Sequence, residues 1–172
     1  MTKAVHTEFW LRGPVPGIPP LLQPVAHALL QACQEVNDLM AAFPDELLWE
    51  RPAGVASPGF HLQHLAGVLD RLFTYARDHG LNEAQLADLA TEGSPIEGQS
   101  TVAQLLNRFN IEIDKALEQV GQTPEDSLTA HRPVGRARLP STVGGLLFHA
   151  AEHIQRHTGQ LLVTARILRQ PL

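Results

Sequence analysis

The chain has 172 residues, of which 44% are hydrophobic and 18% are charged, and its formal net charge is −5. This composition is that of a single globular domain and excludes an intrinsically disordered chain. The acidic balance excludes nucleic acid as the expected partner, because nucleic-acid-binding domains are usually basic, and it disfavours an anionic membrane surface for the same reason.

The single cysteine and the lack of long apolar runs favour a cytoplasmic protein. Cys33 has no partner for an intramolecular disulfide, which is typical of chains that work in a reducing compartment. No run approaches the ~18 apolar residues of a membrane-spanning helix, and the stretch MTKAVHTEFWLRG lacks the apolar core of a signal peptide. We therefore expect a cytoplasmic location and no membrane partner.

The first half of the sequence predicts an arm and two long helices. Residues 1–20 are rich in proline and glycine, which is typical of an extended arm. Apolar residues recur every three or four positions over 21–43, which predicts the first helix. Ser57 is the expected N-cap of a second helix over 58–79, whose first position is a proline.

The second half predicts two further long helices and short elements between them. Residues 82–91 open with the pattern of a capping box and predict a short helix. Long helices are predicted over 100–121 and 141–168, each capped by the serine at its start. The segment 122–140 between them is predicted to be loop with one helical turn, and no segment shows the alternation typical of a strand.

Four long amphipathic helices of similar length bury their apolar faces best against one another. The predicted fold class is therefore all-α, a four-helix bundle formed by residues 21–172 with one or two short extra helices. The long segment before the last helix leaves room for a crossover connection.

Histidines are concentrated on two of these helices. HAAEHIQRHTGQ places His149, His153 and His157 at spacings of four, and HLQH places His61 and His64 on the second helix. The first three span about 80° of the helix surface but about 12 Å of its length, so one ion cannot easily bind all of them. Burying several imidazoles without partners costs free energy, and a metal ion would turn that cost into stabilisation.

This geometry predicts two ligands from the last helix and one from the second. The expected set is His64, His153 and His157, with His61 and His149 as a second layer or as alternative ligands. Supporting contacts are expected from Glu152 and Gln160, although a surface ion pair is the simpler interpretation of Glu152. Ordinary core or surface roles are expected for the remaining histidines: His6, His27, His79 and His131.

The stretches HLQHLAGVLDRLF and HAAEHIQRHTGQL together resemble the DinB/YfiT-like superfamily of four-helix-bundle metalloproteins. That family pairs one histidine of the second helix with an HxxxH pair on the fourth, often followed by a GQ dipeptide. The matching residues are His64, His153 and His157, followed by Gly159 and Gln160. The resemblance implies one divalent transition metal ion, and imidazole ligands favour zinc or nickel, with iron as the alternative.

Three neutral imidazoles leave an ion with open positions, which is typical of a catalytic site. No cysteine lies near the motifs, so an activated thiol would have to be a small molecule. The resemblance implies the same, because family members include transferases and isomerases that use bacillithiol, mycothiol or glutathione. The leading hypothesis is a metal-dependent S-transferase, or a related hydrolase, that activates such a thiol against an electrophilic substrate.

Two other hypotheses remain open at this stage. The chain can be a non-catalytic, stress-associated bundle with a structural or vestigial metal site, or a metal buffer that holds several ions. A homodimer is compatible with this type of family.

Overall fold

Four long helices and one short helix account for most of the structure, which confirms the predicted all-α bundle. The structure is a computed structural model that describes residues 7–98 and 100–169. Its helices are α1 (Gln23–Met40), α2 (Pro58–Ala76), α3 (Glu83–Thr91), α4 (Val102–Gln122) and α5 (Val143–Leu168). Within these described residues, no helix is long and apolar enough to cross a membrane.

The helix order around the bundle places α1 opposite α2, each packed between α4 and α5. The connections from α1 to α2 and from α4 to α5 therefore both cross the bundle diagonally. Helices α1 and α5 are parallel: Gln155 Nε2 donates to the Ala28 carbonyl oxygen at 2.7 Å, and Arg169 lies 5.2 Å from the centre of the Phe43 ring. The seam between α2 and α5 holds the candidate site.

Side-chain caps fix where the helices begin. The Ser57 hydroxyl accepts a hydrogen bond from the Phe60 backbone N–H at 3.1 Å, as its position before Pro58 predicts. The capping box predicted at the start of α3 is formed by Asn82 and Gln85.

Two predicted caps lie one residue too early. Helix α4 is capped by Thr101, which forms a capping box with Gln104, while the Ser100 hydroxyl bonds to the Ile96 carbonyl oxygen instead. Helix α5 is capped by Thr142, whose hydroxyl accepts a hydrogen bond from the Gly145 backbone N–H at 3.0 Å. Ser and Thr are nearly equivalent caps, so the sequence does not decide between adjacent ones.

An antiparallel hairpin lies where the sequence predicts only loop. Strands β1 (His131–Val134) and β2 (Leu139–Thr142) pair across a turn that contains Gly135, whose φ is +67°. Each strand has four residues, contains a proline and is at most half-buried, so the alternation that marks a strand is missing. Arg132 Nε donates to the Ala76 carbonyl oxygen at 2.8 Å and ties the hairpin to the end of α2.

Apolar residues of all four long helices form one core in the middle of the bundle. The largest fully buried side chains on the helices are Leu29, Val36, Met40, Leu62, Leu65, Leu69, Phe109, Ile113, Leu147, Ile154 and Leu161. The α1–α2 connection closes the core near the start of α2, where Trp49 packs directly on Gly59.

Replacing Gly59 by alanine is expected to lower the free energy of unfolding by about 1–3 kcal/mol, because the added Cβ would lie 2.7 Å from Trp49 ring atoms. Gly159 is the matched control, since no neighbouring atom lies within 4 Å of its Cβ position. Alanine there should raise the same free energy by about 0.5–1 kcal/mol, because glycine weakens a helix. Urea unfolding measures both changes, and equal losses at the two sites would contradict this packing.

Candidate metal centre

Three of the predicted histidines meet across the seam between α2 and α5. His64, His153 and His157 each offer a ring nitrogen, and these nitrogens all lie within 4.8 Å of one another. The closest pair is His64 Nε2 and His153 Nε2, at 2.9 Å. The i,i+4 spacing places His153 and His157 on adjacent turns of α5, and the antiparallel α2 brings His64 against both.

The side of the cluster formed by α2 is covered by an aromatic ring. Phe60 stacks on His64 with ring centres 5.3 Å apart and planes inclined by 10°. The His64 and His157 ring centres are 4.4 Å apart, so the imidazoles pack closely as well. Phe60 therefore limits the orientation of the His64 ring.

Glu92, which directly follows α3 and is not among the predicted site residues, orients His64. Its Oε2 lies 2.8 Å from His64 Nδ1, and its Oε1 lies 2.6 Å from Arg71 Nη1. The Glu92 and Arg71 side chains are only 8% and 9% exposed, so this ion pair is buried. With Nδ1 of His64 bonded to a carboxylate, Nε2 is the free nitrogen that faces the cluster.

The pKa of Glu92 is set by opposing effects. Burial alone would raise it, but the hydrogen bonds from His64 and Arg71 and the charge of Arg71 outweigh burial and lower the pKa below its usual range. Glu92 is thus a carboxylate at neutral pH, and His64 donates its Nδ1 proton to it.

Gly67 makes room for the ion pair. A Cβ at this position would lie 2.6 Å from both Arg71 Nη1 and Glu92 Oε1. Glycine in the interior of a helix costs about 1 kcal/mol relative to alanine, so its presence in HLAGVL indicates a close approach of other atoms. That glycine was the one sign in the sequence of a buried group behind His64, but it does not say which residue approaches.

His61 supports a second member of the cluster. It is buried, and its Nδ1 lies 3.2 Å from His157 Nδ1, so one of these nitrogens donates to the other. Burial, and then the neighbouring His64, lower the pKa of His61 to about 4. His61 therefore lies against the cluster, where its neutral ring can accept a hydrogen bond from His157 Nδ1–H.

The remaining predicted residues lie outside the cluster. His149 is 49% exposed, and its Nδ1 lies 2.6 Å from Glu152 Oε1. Glu152 Oε2 accepts from Arg156 at 2.7 Å in a surface ion pair, and Glu152 also forms with His149 and His153 a second, more exposed group whose ligand atoms lie within 4.8 Å of one another. Gln160 is exposed and borders a cavity beside His61.

The described residues fit a divalent metal ion. Burial first, and neighbouring histidines second, lower the pKa of His153 and lower that of His157 to about 4, so both rings are neutral, as metal ligands must be. The buried Nδ1 of His153 has no hydrogen-bond partner among the described residues. The ring nitrogens lie close together and have too few protons to hydrogen-bond all of one another. A metal ion at this point would bind their lone pairs.

The family follows from comparison with known proteins. The sequence model of the DinB superfamily matches residues 28–161, more than three quarters of the chain. The chain belongs to the DinB superfamily. The matched range contains α2, α4 and the whole histidine cluster. Comparison with curated protein sequences found no match.

The cysteine of this DinB protein lies on the opposite seam, between α1 and α4. Cys33 is half-buried, and its Sγ lies 3.5 Å from Asn110 Oδ1. Burial, and then the charge of Asp114, raise the pKa of the thiol against the smaller effect of Asn37. Cys33 is therefore a weak nucleophile at neutral pH and is remote from the histidines.

Cys33 in the folded chain is expected to react with Ellman's reagent at pH 8 at least about tenfold more slowly than in urea, because a raised pKa leaves little thiolate and burial limits access. The rate at which glutathione reacts with the same reagent, measured with and without urea, corrects for the effect of urea on the reaction. Equal rates for the folded and unfolded chain would contradict the described environment.

Proposed function

We propose that this DinB protein is a metal-dependent S-transferase that joins a low-molecular-weight thiol to an electrophilic substrate. The observation that carries the proposal is the set of three ring nitrogens within 4.8 Å of one another, contributed by His64, His153 and His157. Neutral ligands leave the charge of an ion uncompensated, and three protein ligands leave positions for a reactant.

The chain's own residues would hold and orient the ion. His64, His153 and His157 would bind it through one nitrogen each, with His64 using Nε2. Glu92 accepts a hydrogen bond from His64 Nδ1–H, and His61 can accept one from His157 Nδ1–H, so both rings keep fixed tautomers. A divalent ion at this point would supply a Lewis acid that lowers the pKa of a thiol to near neutrality.

The proposed reaction forms a carbon–sulfur bond. The thiol releases its proton to solvent, the sulfur attacks an electrophilic carbon, and the leaving group departs as an anion with the electron pair of its bond to that carbon. Cys33 is remote and has a raised pKa, which supports a small-molecule thiol as the nucleophile. We infer a cytoplasmic location, where such thiols are kept reduced.

Replacing Glu92 by glutamine is expected to weaken zinc affinity about 10–100-fold, because the neutral amide holds His64 Nδ1–H less firmly than the carboxylate does. Glu83→Gln is the matched control, since Glu83 is exposed in the first turn of α3, the helix that Glu92 follows. Competition with a zinc-binding dye measures both affinities. Equal zinc affinities for the two variants would contradict a contribution of Glu92 to metal binding.

The activity test uses the full chain loaded separately with zinc and with nickel. Bacillithiol, mycothiol and glutathione are each offered with 1-chloro-2,4-dinitrobenzene, and thioether formation is followed by absorbance. We expect turnover with at least one metal and thiol that is lost in His157→Ala and retained in His79→Ala. Turnover that survives His157→Ala, or none in the metal-loaded wild type, would overturn the proposal, and the latter would favour a non-catalytic bundle.

A further inference from the structure

A cavity of about 750 Å³ opens beside the histidine cluster. Its walls come from the segment before α2 and from the part of α5 between Arg156 and Ile167. It touches the cluster through His61, whose ring lies against His157. The cavity is thus adjacent to the proposed metal centre.

The walls of this cavity are apolar and face solvent. Val55, Val163 and Ile167 are 50%, 56% and 54% exposed, and all three line it. Exposed apolar side chains gathered in one concavity mark a binding site, whereas single ones scattered over a surface do not.

One end of the cavity is polar. Arg156, Gln160 and His61 lie there, and Arg156 and Gln160 flank His157 in sequence. One nitrogen of Arg156 is bonded to Glu152 at 2.7 Å. A guanidinium has five N–H donors, so this bond leaves donors for an anionic or carbonyl group of a ligand.

The wall opposite α5 is held in a fixed conformation. Ala53 has φ +51° and Gly54 has φ +77°, both in the left-handed region. Arg51 holds this turn, since its Nε and Nη2 donate to the carbonyl oxygens of Val55 and Gly54 at 3.3 and 3.2 Å. A strained segment kept in place by such bonds is typical of a preformed ligand site.

We propose that this cavity binds the electrophilic substrate, and that the substrate is a small molecule with an apolar body and an anionic group held by Arg156. Its role as the substrate site rests on the proposed function, but the binding chemistry does not. Low-molecular-weight thiols carry several charged and polar groups and do not match apolar walls. The electrophile is the reactant that these walls fit, with its polar end towards the centre.

The binding test uses two fluorescent probes on the full, metal-free and metal-loaded chain: anionic 1-anilinonaphthalene-8-sulfonate and its neutral analogue N-phenyl-1-naphthylamine. Val163→Asp should weaken both probes at least about tenfold, because it puts a charge against their apolar rings. Arg156→Gln should weaken only the anionic probe, by about three- to tenfold. Metal content should stay unchanged in both variants.

The controls are matched in chemistry and lie outside the cavity. Ile111→Asp places the same charge on an exposed apolar residue of a different helix, α4. Arg166→Gln removes a positive charge from α5 outside the cavity. Thermal unfolding confirms that each variant is folded. Probe affinities unchanged in Val163→Asp, or lowered equally in Ile111→Asp, would overturn the cavity as the site.

Two further outcomes separate this inference from the proposed function. Probe binding that depends on Val163 in a chain without thiol turnover would support the binding site and overturn only its role as a substrate site. Absence of probe binding, with a dimer in sedimentation that Val163→Asp dissociates, would assign the cavity to a second copy of the chain and overturn the inference.

Discussion

His64→Ala and His153→Ala are each expected to lower zinc affinity by about 3 kcal/mol or more, which is about 100-fold or more. Each variant removes one of three ring nitrogens that lie within 4.8 Å of one another, which leaves an ion with two of them. At micromolar protein, the metal content after gel filtration should fall from about one ion per chain to nearly none.

The controls for this loss are histidines outside the cluster. His79→Ala should leave the metal content unchanged, because His79 is exposed beyond the end of α2. His149→Ala should do the same if His149 only pairs with Glu152, as the structure describes. Loss of metal in His149→Ala with retention in His64→Ala would contradict the described centre. It would place the metal near the start of α5, beside His149.

Arg71→Leu is expected to lower the free energy of unfolding by about 3–5 kcal/mol, because it leaves the buried Glu92 carboxylate without its cation. Urea unfolding measures the loss. The double variant with Glu92→Leu should recover most of that stability, since neither charge then remains buried. Its zinc affinity should nevertheless stay low, because His64 has lost its carboxylate.

An exposed ion pair gives the comparison for Arg71. Lys115→Leu breaks the pair with Glu112, in which the lysine is 63% exposed, and should change stability by no more than about 1 kcal/mol. A loss in Arg71→Leu as small as that in Lys115→Leu would contradict the buried pair. A double variant less stable than Arg71→Leu alone would contradict the uncompensated charge as the cause.

Helix periodicity predicted the bundle because each long helix buries one apolar face. It could not place adjacent caps such as Ser100 and Thr101, since either hydroxyl can accept the same backbone N–H. The hairpin was missed because its strands are short and contain Pro133 and Pro140 opposite each other. Pairing of such strands depends on contacts with α2 and α5 that the local sequence does not contain.

The candidate site divides in the same way. Spacing alone placed His153 and His157 on one face of α5, and packing of apolar helices made His64 the natural third member. Glu92 could not be predicted, because it directly follows α3. The position of α3 against α2, which brings Glu92 to His64, depends on tertiary packing. The metal-binding roles of these histidines stay predictions.

The X-ray absorption spectrum of the zinc-loaded chain at the zinc edge tests the metal centre most directly. A centre built by the three histidines predicts three imidazole nitrogens at about 2.0–2.1 Å, with the remaining positions filled by solvent oxygen, and fewer imidazoles in His153→Ala. Zinc bound by one imidazole or none, or through the sulfur of Cys33, would contradict a metal centre built by His64, His153 and His157.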